Sequence, residues 1–214
     1  MYKYILLDLD GTLTDPAIGI TNGVMYALEK FGIKVADRKQ LYCFIGPPLI
    51  DAFMNYFGLS KEEAKQAVEY YREFYRVTGI YENRVYDGVF ETLKALKTNG
   101  KTLILATSKP EPFAEIILKH FDLRQYFDFV VGATFDGTIN YKNDVIRVAL
   151  RRAKIENIEE TIMVGDRHHD IDGAKQNNLK SIGVLYGFGD RAELEKACAD
   201  YIAETPKDLL KILI

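Results

Sequence analysis

The apolar positions of this 214-residue chain follow two different rhythms. Its opening, MYKYILLDLDGTLTD, holds a short continuous apolar run, Tyr4-Ile5-Leu6-Leu7, followed by two acids and a Gly-Thr turn. So short a run, bounded by turn residues, predicts a strand buried on both faces. From residue 15 to 80 the period becomes helical. Ile20, Val24, Ala27, Leu28 and Phe31 recur at the spacing of one helix face, with Asp15 as cap, Pro16 in the first turn and Gly32 as the stop. Asp37 with Gln40, and Ser60 with Glu63, have the spacing of capping boxes for two more helices. The second of these carries Ala64, Ala67, Val68, Tyr71 and Tyr75 along one face, and Ile45-Gly46-Pro47-Pro48 forms a rigid break between them. The segment holds 11 of the chain's 26 aromatic residues, which suits a folded helical unit with its own core rather than a linker.

After Tyr81, strand and helix alternate. Strands are expected at 102–106, 127–131, 161–164, 181–185 and 201–203. Helices are expected at 88–98, 111–120, 143–153, 169–177, 190–198 and 206–213. Alternating βα units predict a parallel sheet covered on both faces. The expected fold is therefore α/β. A doubly wound, Rossmann-like core is formed by residues 1–14 and 82–214, and a small α-helical domain of residues 15–81 is inserted after the first strand.

Composition narrows the function. A net charge of -3 and the lack of any Lys/Arg run leave no footprint for nucleic acid. No apolar stretch approaches the length of a membrane span, and an acid at position 8 interrupts what a secretory leader would need. Cys43 and Cys198 match no zinc or redox spacing and are expected as reduced thiols of a cytoplasmic protein. Oligomeric state leaves no trace in the sequence.

The chemistry begins at Asp8 and Asp10. Acids at the end of a buried strand cost several kcal/mol unless a metal or hydrogen bonds compensate them. The C-terminal edge of a parallel sheet is also where open α/β folds place their sites. Oxygen ligands of this kind suit a hard cation such as Mg²⁺. A solvated Asp-Gly turn is the bland alternative. An EF-hand is excluded, because a strand precedes and Leu13 and Gly19 stand where that loop needs Gly and Glu. Thr107-Ser108 and Gly165-Asp166-Arg167-His168-His169-Asp170 follow later strands, and Lys142 opens a helix, so all can converge on one edge. A carboxylate nucleophile, further acids, a hydroxyl and an ammonium form an inventory for phosphoryl transfer. His168 and His169 are expected as loop residues, since neighbours point different ways and no third His lies nearby.

DLDGTLTD, ATS, Lys142 and GDRHHD, in that order and each after a strand, resemble the four motifs of the haloacid dehalogenase superfamily. The likeness extends over the whole chain, the helical insert being similar to the cap of the phosphoglycolate phosphatase-like branch. It implies that Asp8 attacks phosphorus and becomes an aspartyl phosphate, while Asp10 protonates the leaving oxygen and then activates water. It implies that Thr107, Ser108 and Lys142 hold phosphate oxygens. It further implies that Mg²⁺ is held by Asp8, Asp166 and the backbone carbonyl of Asp10, with Asp170 ligating or orienting it. The loop Gly46, Pro47, Pro48 is the implied specificity element of the cap. Ser108 replaces a frequent Asn, and Asn143 a frequent Pro. The implied activity is hydrolysis of a small phosphorylated metabolite such as phosphoglycolate, a nucleoside 5′-monophosphate, pyrophosphate or a sugar phosphate. A phosphomutase with the same residues and a phosphate-binding signalling module are the competing classes.

Overall fold

The computed structural model describes residues 2–214, so Met1, the first residue of the expected core, lies outside the described residues. Two compact units emerge: the chain up to Asp15 together with Val85–Ile214, and Pro16–Arg84.

The larger unit is built on a six-stranded sheet. Its strands are β1 (Tyr4–Leu7), β2 (Thr102–Pro110), β3 (Phe129–Ala133), β4 (Thr161–Gly165), β5 (Lys180–Val184) and β6 (Tyr201–Ala203). They lie in the order β3-β2-β1-β4-β5-β6, every pair parallel. Strand β1 is central, and Ile5, Leu6 and Leu7 are buried, as its unbroken apolar run requires. The longer helices run in chain order α1 (Ala17–Glu29), α2 (Leu49–Phe57), α3 (Lys61–Phe74), α4 (Val89–Thr98), α5 (Glu111–His120) and α6 (Lys142–Arg152), and the last of these covers one face. Its Val145, Ile146 and Ala149 pack on Leu6, Ile104, Val131 and Met163, beside Ala174 of α7 (His168–Gln176). The chain leaves β1 for β2 on one side and reaches β4 on the other. The crevice beyond the C-terminal ends of β1 and β4 is thus the switch point of the sheet, where doubly wound folds bind ligands. No helix among the described residues is long and apolar enough to cross a membrane.

Several boundaries differ from the sequence pattern. Strand β2 continues to Pro110 instead of ending at Ala106, because a register shift against β3 between Thr107 and Pro110 keeps the strands paired. Thr107 and Ser108 therefore lie on the strand itself. Strand β3 starts two residues later than expected, since a 3₁₀ turn at Arg124–Tyr126 directs Arg124 onto the carbonyl of Phe127. His168 and His169 open helix α7 rather than lying in a loop.

Within the helical unit, helix Ala17–Glu29 buries Ile20, Val24, Ala27 and Leu28. Pro16 flanks it and no side chain caps it; Asp15, expected as the cap, is extended in a two-residue strand. Asp37 caps a 3₁₀ segment, Arg38–Phe44, by accepting from Lys39 N (2.9 Å), and forms no box with Gln40. That segment cannot run on as a helix, because Pro47 and Pro48 lack the N–H groups it would need. An unforeseen helix, Leu49–Phe57, starts directly after Pro48. The Ser60–Glu63 box is complete: Ser60 N donates to Glu63 Oε2 (2.8 Å) and Glu63 N to Ser60 Oγ (3.3 Å). The helix it opens, Lys61–Phe74, buries Ala64, Ala67, Val68 and Tyr71.

An acid also secures the sheet at β5. Asp200 Oδ2 accepts from Ser181 N (2.9 Å), and Oδ1 pairs with Lys180 Nζ (2.6 Å). Burial alone would raise its pKa, but the bonds from Lys180 and Ser181 outweigh it and hold the carboxyl below its ordinary value. A depressed carboxyl adds stability that is present above the unfolded pKa, near about 3.9, and is lost as pH falls through the folded value. Asp200→Asn is therefore expected to lower Tm at neutral pH. Thermal unfolding should show that deficit shrinking as pH drops below about 4; a deficit independent of pH would contradict the assignment.

Candidate active site

Strand β1 ends in a tight turn. Asp8 N still bonds across to Val164 O (3.0 Å), after which Leu13 N and Thr14 N both return to Leu9 O. Gly11 turns the chain with φ +87°, and a side chain there would run into the carboxylate of Asp166. Asp166 itself follows β4 and is fully buried. Its Oδ2 accepts from Phe188 N (2.8 Å), in the loop after β5. Asp170 lies in the first turn of α7, where its Oδ2 accepts from Arg167 N (3.1 Å).

These elements bring Asp8, Asp166 and Asp170 together, with one oxygen of each within 4.8 Å of the others. Lys142, the first residue of α6, reaches into the same place. Its ammonium donates to Ala106 O (3.0 Å) and stands 2.7 Å from Asp8 Oδ1 and 2.8 Å from Asp170 Oδ1. Both oxygens form ion pairs with it. Burial would depress the Lys142 pKa, but Asp170 and Asp8 reverse that and raise it, so the ammonium stays charged. Burial pushes the Asp170 carboxyl up to about 6 against the pull of Lys142. It raises Asp166 well above its ordinary range, with Asp170 adding to the effect. Buried acids held this close are the arrangement a cation would relieve. Their donors are all oxygen, which suits a hard divalent ion.

Asp10 and Thr107 stand beside this cluster. Thr107 is buried, and its Oγ1 accepts from Lys109 N (3.2 Å); Ser108 is half-buried. Asp10 is buried, which raises its pKa, and Lys109 Nζ pairs with its Oδ2 at 2.5 Å, pulling the other way. Its Oδ1 has no hydrogen-bond partner. Gly46, Pro47 and Pro48 belong to the helical unit, where they form the half-buried turn before helix Leu49–Phe57.

Two contributors escaped the sequence reading. Lys109 directly follows Thr107-Ser108, but nothing in its spacing tells a buried lysine from a solvated one. Glu193, in the short helix Arg191–Lys196, accepts through one oxygen from Arg167 Nε (2.9 Å) and His168 N (2.9 Å), with His168 Nδ1 at 2.8 Å. It anchors the turn that carries Asp166 and Asp170. Glu193 lies 26 positions from Arg167, beyond any local pattern. The Gly187-Phe188-Gly189 run was the visible signal for the loop that wraps Asp166.

The comparisons agree with this geometry. The model of haloacid dehalogenase-like hydrolases matches residues 5–184. The chain belongs to that family, and its fold is the family's. A 5'-nucleotidase of Pseudomonas aeruginosa is 47% identical over 207 residues, covering 94% of this chain and 93% of that protein. The tyrosine-protein kinase PtkA of Mycobacterium tuberculosis is 38% identical over 195 residues, covering 91% of this chain and 66% of that protein. The crystal structure of a predicted phosphatase from Clostridium acetobutylicum superimposes with a TM-score of 0.97 at 48% identity, covering 100% of this chain and 98% of that one.

The close approach of Gly11 to Asp166 can be separated from backbone strain. Gly32 also has positive φ (+71°), but nothing lies near its missing side chain. Alanine at either site meets a left-handed penalty of roughly 1–2 kcal/mol. Gly11→Ala alone must also displace Asp166. Thermal unfolding of the two variants should show a clearly larger loss for Gly11→Ala, and equal losses would show that crowding against Asp166 is absent.

Proposed function

We propose that the chain is a Mg²⁺-dependent phosphomonoester hydrolase that acts on a small phosphorylated metabolite by way of a phosphoryl group carried on Asp8. The observation that carries this reading is the buried trio Asp8, Asp166 and Asp170, with an oxygen of each within 4.8 Å of the others and the Lys142 ammonium beside them. Mg²⁺ held by Asp8, Asp166, Asp170 and the backbone carbonyl of Asp10 would supply positive charge for the phosphate oxygens. The remaining work falls to the chain's own groups. Asp8, at the end of the central strand, is the nucleophile, because its carboxylate can take a phosphoryl group and release it again to water. Asp10 gives a proton to the leaving oxygen and later takes one from the attacking water. Lys142 neutralises phosphate oxygens as they approach Asp8, and Thr107 and Ser108 offer hydroxyls at the neighbouring strand.

The likeness to a protein named 5'-nucleotidase favours nucleoside 5′-monophosphates as the first substrates to try. The likeness to PtkA supports a second reading, in which the phosphoryl group passes to a protein tyrosine. A panel of nucleoside monophosphates, phosphoglycolate, pyrophosphate and sugar phosphates, assayed with Mg²⁺ for phosphate release, tests the first. ATP with a tyrosine peptide tests the second. Phosphate release is expected from at least one ester. It should vanish in excess chelator and in Asp8→Asn, and Mg²⁺ should raise Tm by binding the folded chain. Turnover in the Asn variant, or full activity after metal stripping, would sink the reading.

The helical unit is proposed to be a cap that sets substrate choice, with Gly46, Pro47 and Pro48 as its specificity loop. Their stiff turn suits a fixed contact better than a hinge. Substitutions there are expected to reorder the substrate panel while sparing acetyl phosphate, whose leaving group offers little to recognise. A uniform change across all substrates would remove the loop from specificity.

A further inference from the structure

A second buried cation stands at this centre. The side chain of Lys109 is 5% exposed, and its ammonium pairs with Asp10, 2.5 Å away at Oδ2. Lysine is seldom buried unless paired, so its placement here is bound up with Asp10. The backbone reinforces that placement. Strand β2 shifts register between Thr107 and Pro110, and Lys109 N is tied to Thr107 Oγ1 within the irregular stretch. The pair engages one oxygen of Asp10 and leaves the other, Oδ1, buried and without a hydrogen-bond partner.

We propose that Lys109 is a positioning residue: it holds Asp10 by Oδ2 and so assigns Oδ1 as the oxygen that delivers the proton to the leaving group. The inference rests on the phosphatase reading above and specifies how its acid is prepared. In the first step a bond forms from Asp8 to phosphorus, and the bond from phosphorus to the leaving oxygen breaks. The proton on Asp10 Oδ1 moves to that oxygen, and Asp10 is left as a carboxylate. Its new charge develops beside the Lys109 ammonium. The pair therefore strengthens as the proton departs, and stabilises the transition state more than the ground state. The benefit scales with how much the leaving group needs a proton. A lysine that merely neutralised a buried acid for folding would affect every substrate alike.

The test compares kcat/KM of the full chain with Mg²⁺ on two aryl phosphates of similar size. p-Nitrophenyl phosphate releases a stable phenolate, whereas phenyl phosphate needs its leaving oxygen protonated. kcat/KM reports events only up to departure of the leaving group, so water attack on the intermediate does not enter. Lys109→Met and Lys109→Gln are expected to lose about tenfold or more on phenyl phosphate than on p-nitrophenyl phosphate. In an Asp10→Asn background, Lys109→Met should add little, since both act through one group. Thermal unfolding identifies any variant that has lost its fold. The comparison then rests on Lys109→Arg, which keeps the charge, displaces it and should show the same ordering to a smaller degree. Equal losses on both substrates, no loss, or a large further loss in the Asp10→Asn background overturns the proposal. Asp8→Asn, run alongside, keeps the two readings apart. Turnover surviving there overturns the phosphatase assignment itself, whereas a dead Asp8→Asn with equal losses in the Lys109 variants overturns only the role of Lys109.

Discussion

The organising constraint is the crowding of carboxylates at the buried end of β1. Asp8, Asp166 and Asp170 place oxygens within 4.8 Å of one another. At an effective dielectric of 20, two unit charges that close repel by about 3 kcal/mol. The surrounding chain is arranged around this repulsion. Lys142 reaches from the start of α6 to stand between Asp8 and Asp170, and the Ala106 carbonyl fixes its ammonium there. Phe188 N satisfies one oxygen of Asp166, and Arg167 N one oxygen of Asp170. The negative charge that these contacts leave unbalanced is gathered at the centre. A fold selected for stability alone would have no reason to keep that residue of unmet charge.

Counting charge shows how far the two lysines offset the acids. Four buried carboxylates, Asp8, Asp10, Asp166 and Asp170, face two buried ammoniums, Lys109 and Lys142. With every group ionised, four minus two leaves an excess of two negative charges. A divalent cation would bring the centre to neutrality before a phosphate dianion enters. The sequence reading counted Lys142 alone, and so underestimated the positive charge the chain itself provides.

What could be read from the sequence was whatever depends on local order. Tyr4-Ile5-Leu6-Leu7 could only be a buried strand, so Asp8 and Asp10 had to emerge at its end. Thr161 to Gly165 did the same for Asp166, and the spacing to Asp170 placed that acid in the first turn of α7. The Ser60–Glu63 box was legible because both partners lie within one turn. Lys109 and Glu193 were not legible, because their roles exist only through contacts with residues 99 and 26 positions away. The extension of β2 was hidden for a related reason. It depends on how β3 pairs with it, and a propensity pattern read along one strand carries no information about its neighbour. Helix Leu49–Phe57 was obscured by the two prolines before it, which signal a break as readily as a start.

Relatives bearing the names nucleotidase and tyrosine kinase differ in the molecule that accepts or releases the phosphoryl group. They need not differ in how phosphorus is handled. In this chain every group argued to act on phosphorus or on the leaving oxygen lies in the sheet-bearing unit, between Asp8 and Asp170. The rigidity of a central parallel strand fixes Asp8, and the switch in strand order opens a crevice in which loop ends can meet it. Substrate discrimination, by contrast, needs surfaces that vary without disturbing that charge balance. A separately folded helical unit with its own aromatic core meets that need, because its residues can change without moving Asp8, Lys142 or their partners. On the proposed reading, the two units would divide the labour: charge chemistry needs a buried frame, and recognition needs a surface free to differ.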